Sequence, residues 1–191
     1  MHRRTYLGAL AATALAGCTS APADSADGSG FPYALVNVQT DDPPVADATV
    51  EVSVTENFST DHPARLDVAF TNDGDESRTF VFGSLVPWDA IRGGHEDGDA
   101  TLLLSPNAGV TPDEPSDDCW QATDGVALPA VMREATLDPG ETVSREFSVL
   151  AAHDSQQCHP TGTYRFEDSN YLGSGWGFSV DVVSVVENRE Q

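Results

Sequence analysis

The chain has 191 residues, 31 acidic against 9 basic, and a formal charge of −22; every basic residue is arginine. With no basic patch to neutralise phosphates, nucleic acid is excluded as a partner. About 160 residues follow the N-terminal leader and linker, the size of one ordinary domain.

Taken in chain order, residues 1–17 read as an export signal. Arg3 and Arg4 precede a mild apolar stretch from Tyr6 to Ala16, and small residues surround the expected cut before Cys18. The stretch is too short to span a bilayer. Arg3-Arg4-Thr5-Tyr6-Leu7 resembles a twin-arginine export signal, although Tyr6 stands where Phe is commoner and His2 where Ser or Thr is usual. Leu15-Ala16-Gly17-Cys18 matches the lipobox of lipoproteins. That resemblance implies a lipid on the Cys18 thiol and a place on the extracytoplasmic face of the cell membrane. A single acyl chain would hold marginally and two would hold firmly. Residues 18–30 carry no large apolar side chain after Cys18 and read as a flexible acidic tether reaching roughly 20 Å.

Loss of the signal leaves seven arginines against 31 acids, a formal charge of −24. In dilute buffer such like charge opposes a compact state, whereas at molar salt the Debye length falls to about 3 Å and the repulsion is screened. Together with the signal, this surface resembles the exported lipoproteins of haloarchaea.

The folded domain is expected over residues 31–191, beginning near Phe31. Val50, Val52 and Val54 alternate with Glu51, Ser53 and Thr55; Leu66, Val68 and Phe70 repeat the pattern. Phe80 with Phe82, Leu102 to Leu104, and Val143 with Phe147 and Val149 add further strands, followed by Tyr164 with Phe166 and by Trp176, Phe178, Val180 and Val182. Period two with one polar face is the mark of half-buried antiparallel strands. Asn72-Asp73-Gly74-Asp75 and Asp138-Pro139-Gly140-Glu141 read as hairpin turns. Helix is expected for no more than a turn or two, around Trp88 to Ile91. The fold class is therefore all-β, an immunoglobulin-like antiparallel sandwich of about 7 to 9 strands.

Leu137-Asp138-Pro139-Gly140-Glu141-Thr142 followed by Phe147, and Pro160-Thr161-Gly162-Thr163-Tyr164-Arg165-Phe166, are similar to strand signatures of the intracellular proteinase inhibitor-like (BsuPI-type) domains. The resemblance covers residues 48 to 186 loosely and implies an immunoglobulin-like fold with Tyr164 at a tyrosine corner. Phe166 stands where antibody-type domains carry a core cysteine. No reactive loop can be mapped, so inhibition does not carry over, and fold alone does not give function.

Cys119 and Cys158 remain after Cys18, and in an exported chain they are expected to form a disulfide closing a loop of about 40 residues. The competing use is a metal site with His159 and His153; the spacing matches no zinc pattern, and Met132 lies upstream of where a blue-copper ligand would fall, so no metal or other cofactor is assigned. The long connection from about Pro106 to Pro129 holds Trp120, which on a pinned loop is a candidate binding surface or else a plug for the end of the sandwich. Trp88 is weighed the same way, and Trp176 is expected in the core. Asn57-Phe58-Ser59 is a glycosylation sequon at Asn57. Asp73 to Glu76 and Glu96 to Asp99 look like calcium loops only superficially, because Arg78 occupies the glycine position of an EF loop counted from Asp73. Gly173-Ser174-Gly175-Trp176-Gly177 reads as a flexible turn rather than a nucleophile elbow. His62, His95, His153 and His159 are expected at the surface.

No catalytic residues are assigned and no enzyme activity is expected. The leading expectation is a cell-surface, lipid-anchored binding module of a halophile, its partner an envelope or secreted protein. An extracytoplasmic proteinase inhibitor and a solute- or metal-binding lipoprotein serving a transporter are the alternatives.

Overall fold

The computed structural model describes residues 30–85, 87–128 and 132–185. Arg3, Arg4, Cys18 and nearly all of the tether lie outside the described residues. Ten strands run in the order β1 (Tyr33–Thr40), β2 (Ala48–Glu56), β3 (Ala64–Asn72), β4 (Arg78–Phe82), β5 (Ile91–His95), β6 (Thr101–Ser105), β7 (Arg133–Leu137), β8 (Thr142–Ala151), β9 (Gly162–Tyr171) and β10 (Ser174–Ser184). The fold is all-β and antiparallel, with one 3-10 turn among the described residues, at Ala108–Val110 between β6 and β7. Where a helical turn was expected, Trp88 lies in a turn and Ile91 opens β5.

Eight strands form one sheet in the order β1-β10-β9-β5-β6-β8-β3-β2, and β4 pairs with β7 in a separate ribbon. The long sheet curls into a nearly closed, sandwich-like shell around one core, which holds Leu66, Val68 and Phe70 of β3, Phe147 and Val149 of β8, and Phe166, Phe178 and Val180 of β9 and β10. In β3 every second residue is fully buried, so a one-residue slip would carry the whole apolar row to solvent. The two edge strands meet through Asn57 just after β2. Its Oδ1 accepts from Leu35 N at 2.6 Å and its Nδ2 donates to Leu35 O at 3.3 Å. One side-chain amide thus stands in for a peptide group where the sheet does not close.

Neither expected hairpin is one. β3 pairs with β2 and β8, whereas β4 pairs only with β7 among the described residues, so both turns step between the sheet and the ribbon. The reason is a junction at Asn72, a buried polar residue only 1% exposed. Its Nδ2 donates to Leu137 O and Glu76 O at 3.0 Å and, more weakly, to Asp138 O at 3.3 Å, while its Oδ1 accepts from Gly74 N at 3.1 Å. Its backbone bonds the other turn, with Asn72 N donating to Glu141 O and Gly140 N donating to Asn72 O. Turn chemistry is read correctly from sequence, but the partners it serves are set by tertiary contacts.

Asn72→Leu keeps the side chain's size and leaves these buried carbonyls and the Gly74 N–H unpaired. Loss of about 2–3 kcal/mol is expected, read as a lower urea midpoint with unchanged slope; a midpoint equal to wild type would remove Asn72 from its structural role.

Candidate functional site

Two places concentrate chemistry. The first lies where the 106–128 loop meets the turn before β9. Cys119 and Cys158 form a disulfide, with Cα atoms 5.6 Å apart. The loop has further anchors. Ser116 and Cys119 exchange backbone bonds, Trp120 O accepts from Ala151 N at 2.8 Å, and Ala122 N donates to Ala151 O at 3.0 Å. Gln121 Nε2 reaches the carbonyls of Ala152, His153 and Ser155. Trp120 is not a surface residue. It is 1% exposed, with Nε1 donating to Ser59 O at 2.8 Å, and it plugs the core end. Burying so large a ring outweighs leaving it on the loop face.

Trp88 also fails as an open surface. It is half-buried with its ring 5.6 Å from that of Phe82, and its carbonyl accepts from Arg145 Nη1. Trp176 is in the core as expected, its Nε1 held by Asp41 O. Tyr164 is the tyrosine corner. Its hydroxyl donates to Pro160 O at 2.9 Å, and burial pushes its pKa up to about 12, so the donor proton stays in place. The Asn57 amide is engaged by Leu35, and Ser59 Oγ of the same tripeptide accepts from His62 N and Asp61 N to close its own turn.

His159 overturns the expectation of a surface histidine, because it is 1% exposed. Its ring packs 4.5 Å from Phe58 and 5.9 Å from Tyr33, and its Nδ1 lies 3.0 Å from Cys158 Sγ. Among the described residues its buried Nε2 finds no well-formed hydrogen-bond partner. Burial pushes the pKa down to about 4; the Trp120 carbonyl opposes this, without making a well-formed bond to Nε2. Sequence spacing gave no sign of this, since the burial comes from Phe58 and Tyr33, far away in the chain.

The second place is an open groove of about 400 Å³ beside the β4–β7 ribbon. Val45, Phe80, Met132 and Leu172 line it, with Arg78 on its wall. Met132 is 61% exposed, and it and Leu128 are the exposed large hydrophobic residues among those described. Leu172 and Gly173 join β9 to β10 with φ of 50° and 83°, a type I′ turn that favours Asn-Gly and in which a branched side chain is strained. Gly173 thus belongs to a tight hairpin, while Ser174 to Gly177 belong to β10. Arg78 makes no ion pair among the described residues; it lies 5.0 Å above the Phe80 ring and donates to Ala46 O. The groove was not anticipated from sequence, because its lining comes from four separate segments.

Comparison with known proteins finds no matching family, no similar curated protein and no similar solved structure.

A histidine whose folded pKa lies below its unfolded value near 6.5 contributes stability that is complete above pH 6.5 and is lost as pH falls through 4. About 3 kcal/mol of acid sensitivity is expected from this ring. His159→Phe should flatten that part of the profile of urea midpoint against pH between 7 and 4; parallel profiles for both proteins would show the ring is not the cause.

Proposed function

We propose that this chain is a lipid-anchored, extracytoplasmic binding module of a salt-adapted organism, and that the groove beside the β4–β7 ribbon receives a partner protein of the envelope or the secreted pool. The observation that carries this reading is Leu172. A leucine held at φ 50° costs about 1–2 kcal/mol against glycine, and such strain gathers where a side chain is needed at a set place. Here it is needed in the groove, beside exposed Met132. Elsewhere the surface is dominated by carboxylates, and Arg65, Arg92, Arg133 and Arg165 are all engaged in ion pairs. Arg78 and Arg145 make no ion pair among the described residues; Arg145 is spent on the Trp88 carbonyl, whereas Arg78 lies on the groove wall and can meet an incoming carboxylate, the charge most available on a partner from the same acidic proteome. An apolar anchor flanked by an acid is the ligand this chemistry fits.

The BsuPI-type resemblance is compatible with this reading through the Tyr164 corner, but it adds no activity. The haloarchaeal setting and the anchor rest on Arg3, Arg4, Cys18 and the excess of acid.

A photo-cross-linking residue at Met132 in cells at native salt should capture one recurrent protein, and Leu172→Asn should reduce that capture while raising the melting temperature by a few degrees. Capture unchanged by Leu172→Asn would remove the groove from the interface. Cys18→Ser should move the protein from the membrane fraction to the medium; retention on membranes would remove the anchor.

A further inference from the structure

We infer that the reduced form of this chain holds a single thiophilic d10 cation, Zn(II) or Cu(I), through Cys119 Sγ, Cys158 Sγ and the imidazole of His159. This is independent of the groove. The three side chains each bring one donor atom, and all lie within 4.8 Å of one another. Donors around a tetrahedral zinc sit about 3.6–3.8 Å apart on ordinary bond lengths, so the sulfurs need only separate and the ring shift slightly. His159 Nδ1 already faces a cysteine sulfur at 3.0 Å.

Two observations favour a metal over a purely structural bridge. The imidazole is nine-tenths or more buried, yet the oxidised site serves it poorly. A disulfide sulfur is a weak acceptor, and Nε2 has no well-formed hydrogen bond among the described residues. Ligation at Nδ1 would use a neutral ring's lone pair and leave the other nitrogen protonated, with the Trp120 carbonyl as the nearby acceptor acting on it. Second, the loop has anchors besides the disulfide. Trp120 Nε1 to Ser59 O and the three Gln121 bonds to the carbonyls of Ala152, His153 and Ser155 tie the residues next to Cys119 to other segments without the sulfur–sulfur bond. Phe58 and Tyr33 wall the ring side, a dry setting that suits soft, low-coordinate cations.

The chemistry balances with a dithiol reductant. It gives two electrons and two protons to the Cys119–Cys158 bond and closes its own disulfide. A dication then displaces both thiol protons to solvent, whereas Cu(I) displaces one or both according to pH. Metal and disulfide are mutually exclusive occupants of one site.

The test uses the full chain carrying Cys18→Ser, reduced anaerobically with a dithiol, desalted, and titrated with Zn(II), with Co(II) as a spectroscopic probe, or with Cu(I) against a chelator. One metal per chain retained after desalting is expected, with thiolate-to-Co(II) absorption, and none beyond background in the oxidised protein. His159→Gln should weaken retention at least tenfold, and in wild type the His159 ring nitrogen resonances should shift on adding Zn(II). Whichever of Zn(II) and Cu(I) is held more tightly names the cation. Reduced protein retaining no more metal than oxidised protein, or His159 resonances unmoved by bound Zn(II), would overturn the inference.

Discussion

The arrangement of the whole molecule hangs on where the buried amide of Asn72 finds its partners. The chain leaves the curled sheet at the end of β3 to enter the ribbon, and leaves the ribbon after β7 to enter β8. Both departures pass the same side chain, which joins the first turn to the carbonyls of the second. A fully satisfied buried polar group of this kind specifies geometry more sharply than an apolar contact could, because any other placement leaves several donors and acceptors dry. The ribbon's angle to the sheet follows, and with it the groove that Phe80, Leu172 and Met132 line.

Much of the architecture could be read in the sequence because much of it is period two. The β3 row, the aromatic residues of β9 and β10 and the valines of β2 announce their faces directly. β1 escapes this reading because a bulge at Asn37, with φ of 51°, breaks its alternation. β5 escapes because its middle is Gly93-Gly94. Gly93 lies opposite Phe166, and a Cβ there would come within 2.5 Å of that ring, so strand propensity gives way to a close approach. The strand count of ten, against about 7 to 9 expected, rises through β1 and β5, since Phe80 with Phe82 already announced β4 of the ribbon. The disulfide was legible because two cysteines remained once Cys18 was set aside as the expected lipid site. The burial of Trp120 was one of two readings left open, and that of His159 was not legible, since it depends on Phe58 from a distant segment.

Charge acts on this fold in two registers. Cross-strand neighbours Asp67 and Glu146 place like charges side by side on the outer face, and partial burial together with Glu146 raises the Asp67 pKa. Arg165, by contrast, is gripped by Asp41 and Glu167, and Arg65 by Glu56 and Glu146. These exposed pairs are worth little singly. Their collective effect is to leave Arg78 and Arg145 as the described arginines without a carboxylate, and of these Arg78 is the one on the groove wall.

The seam at Asn57 bears on how such a molecule stays in solution. In dilute buffer an acidic protein is kept apart from its copies by its own field, but in strong brine that field dies within a few ångströms, and salting-out strengthens every apolar and backbone contact. An open strand edge would then be the obvious place for one copy to stack on another. At the seam between the first and last strands of the main sheet, the Asn57 amide takes both backbone groups of Leu35 and so covers that part of the edge. In strong salt, resistance to stacking would depend on such covered edge groups rather than on charge alone.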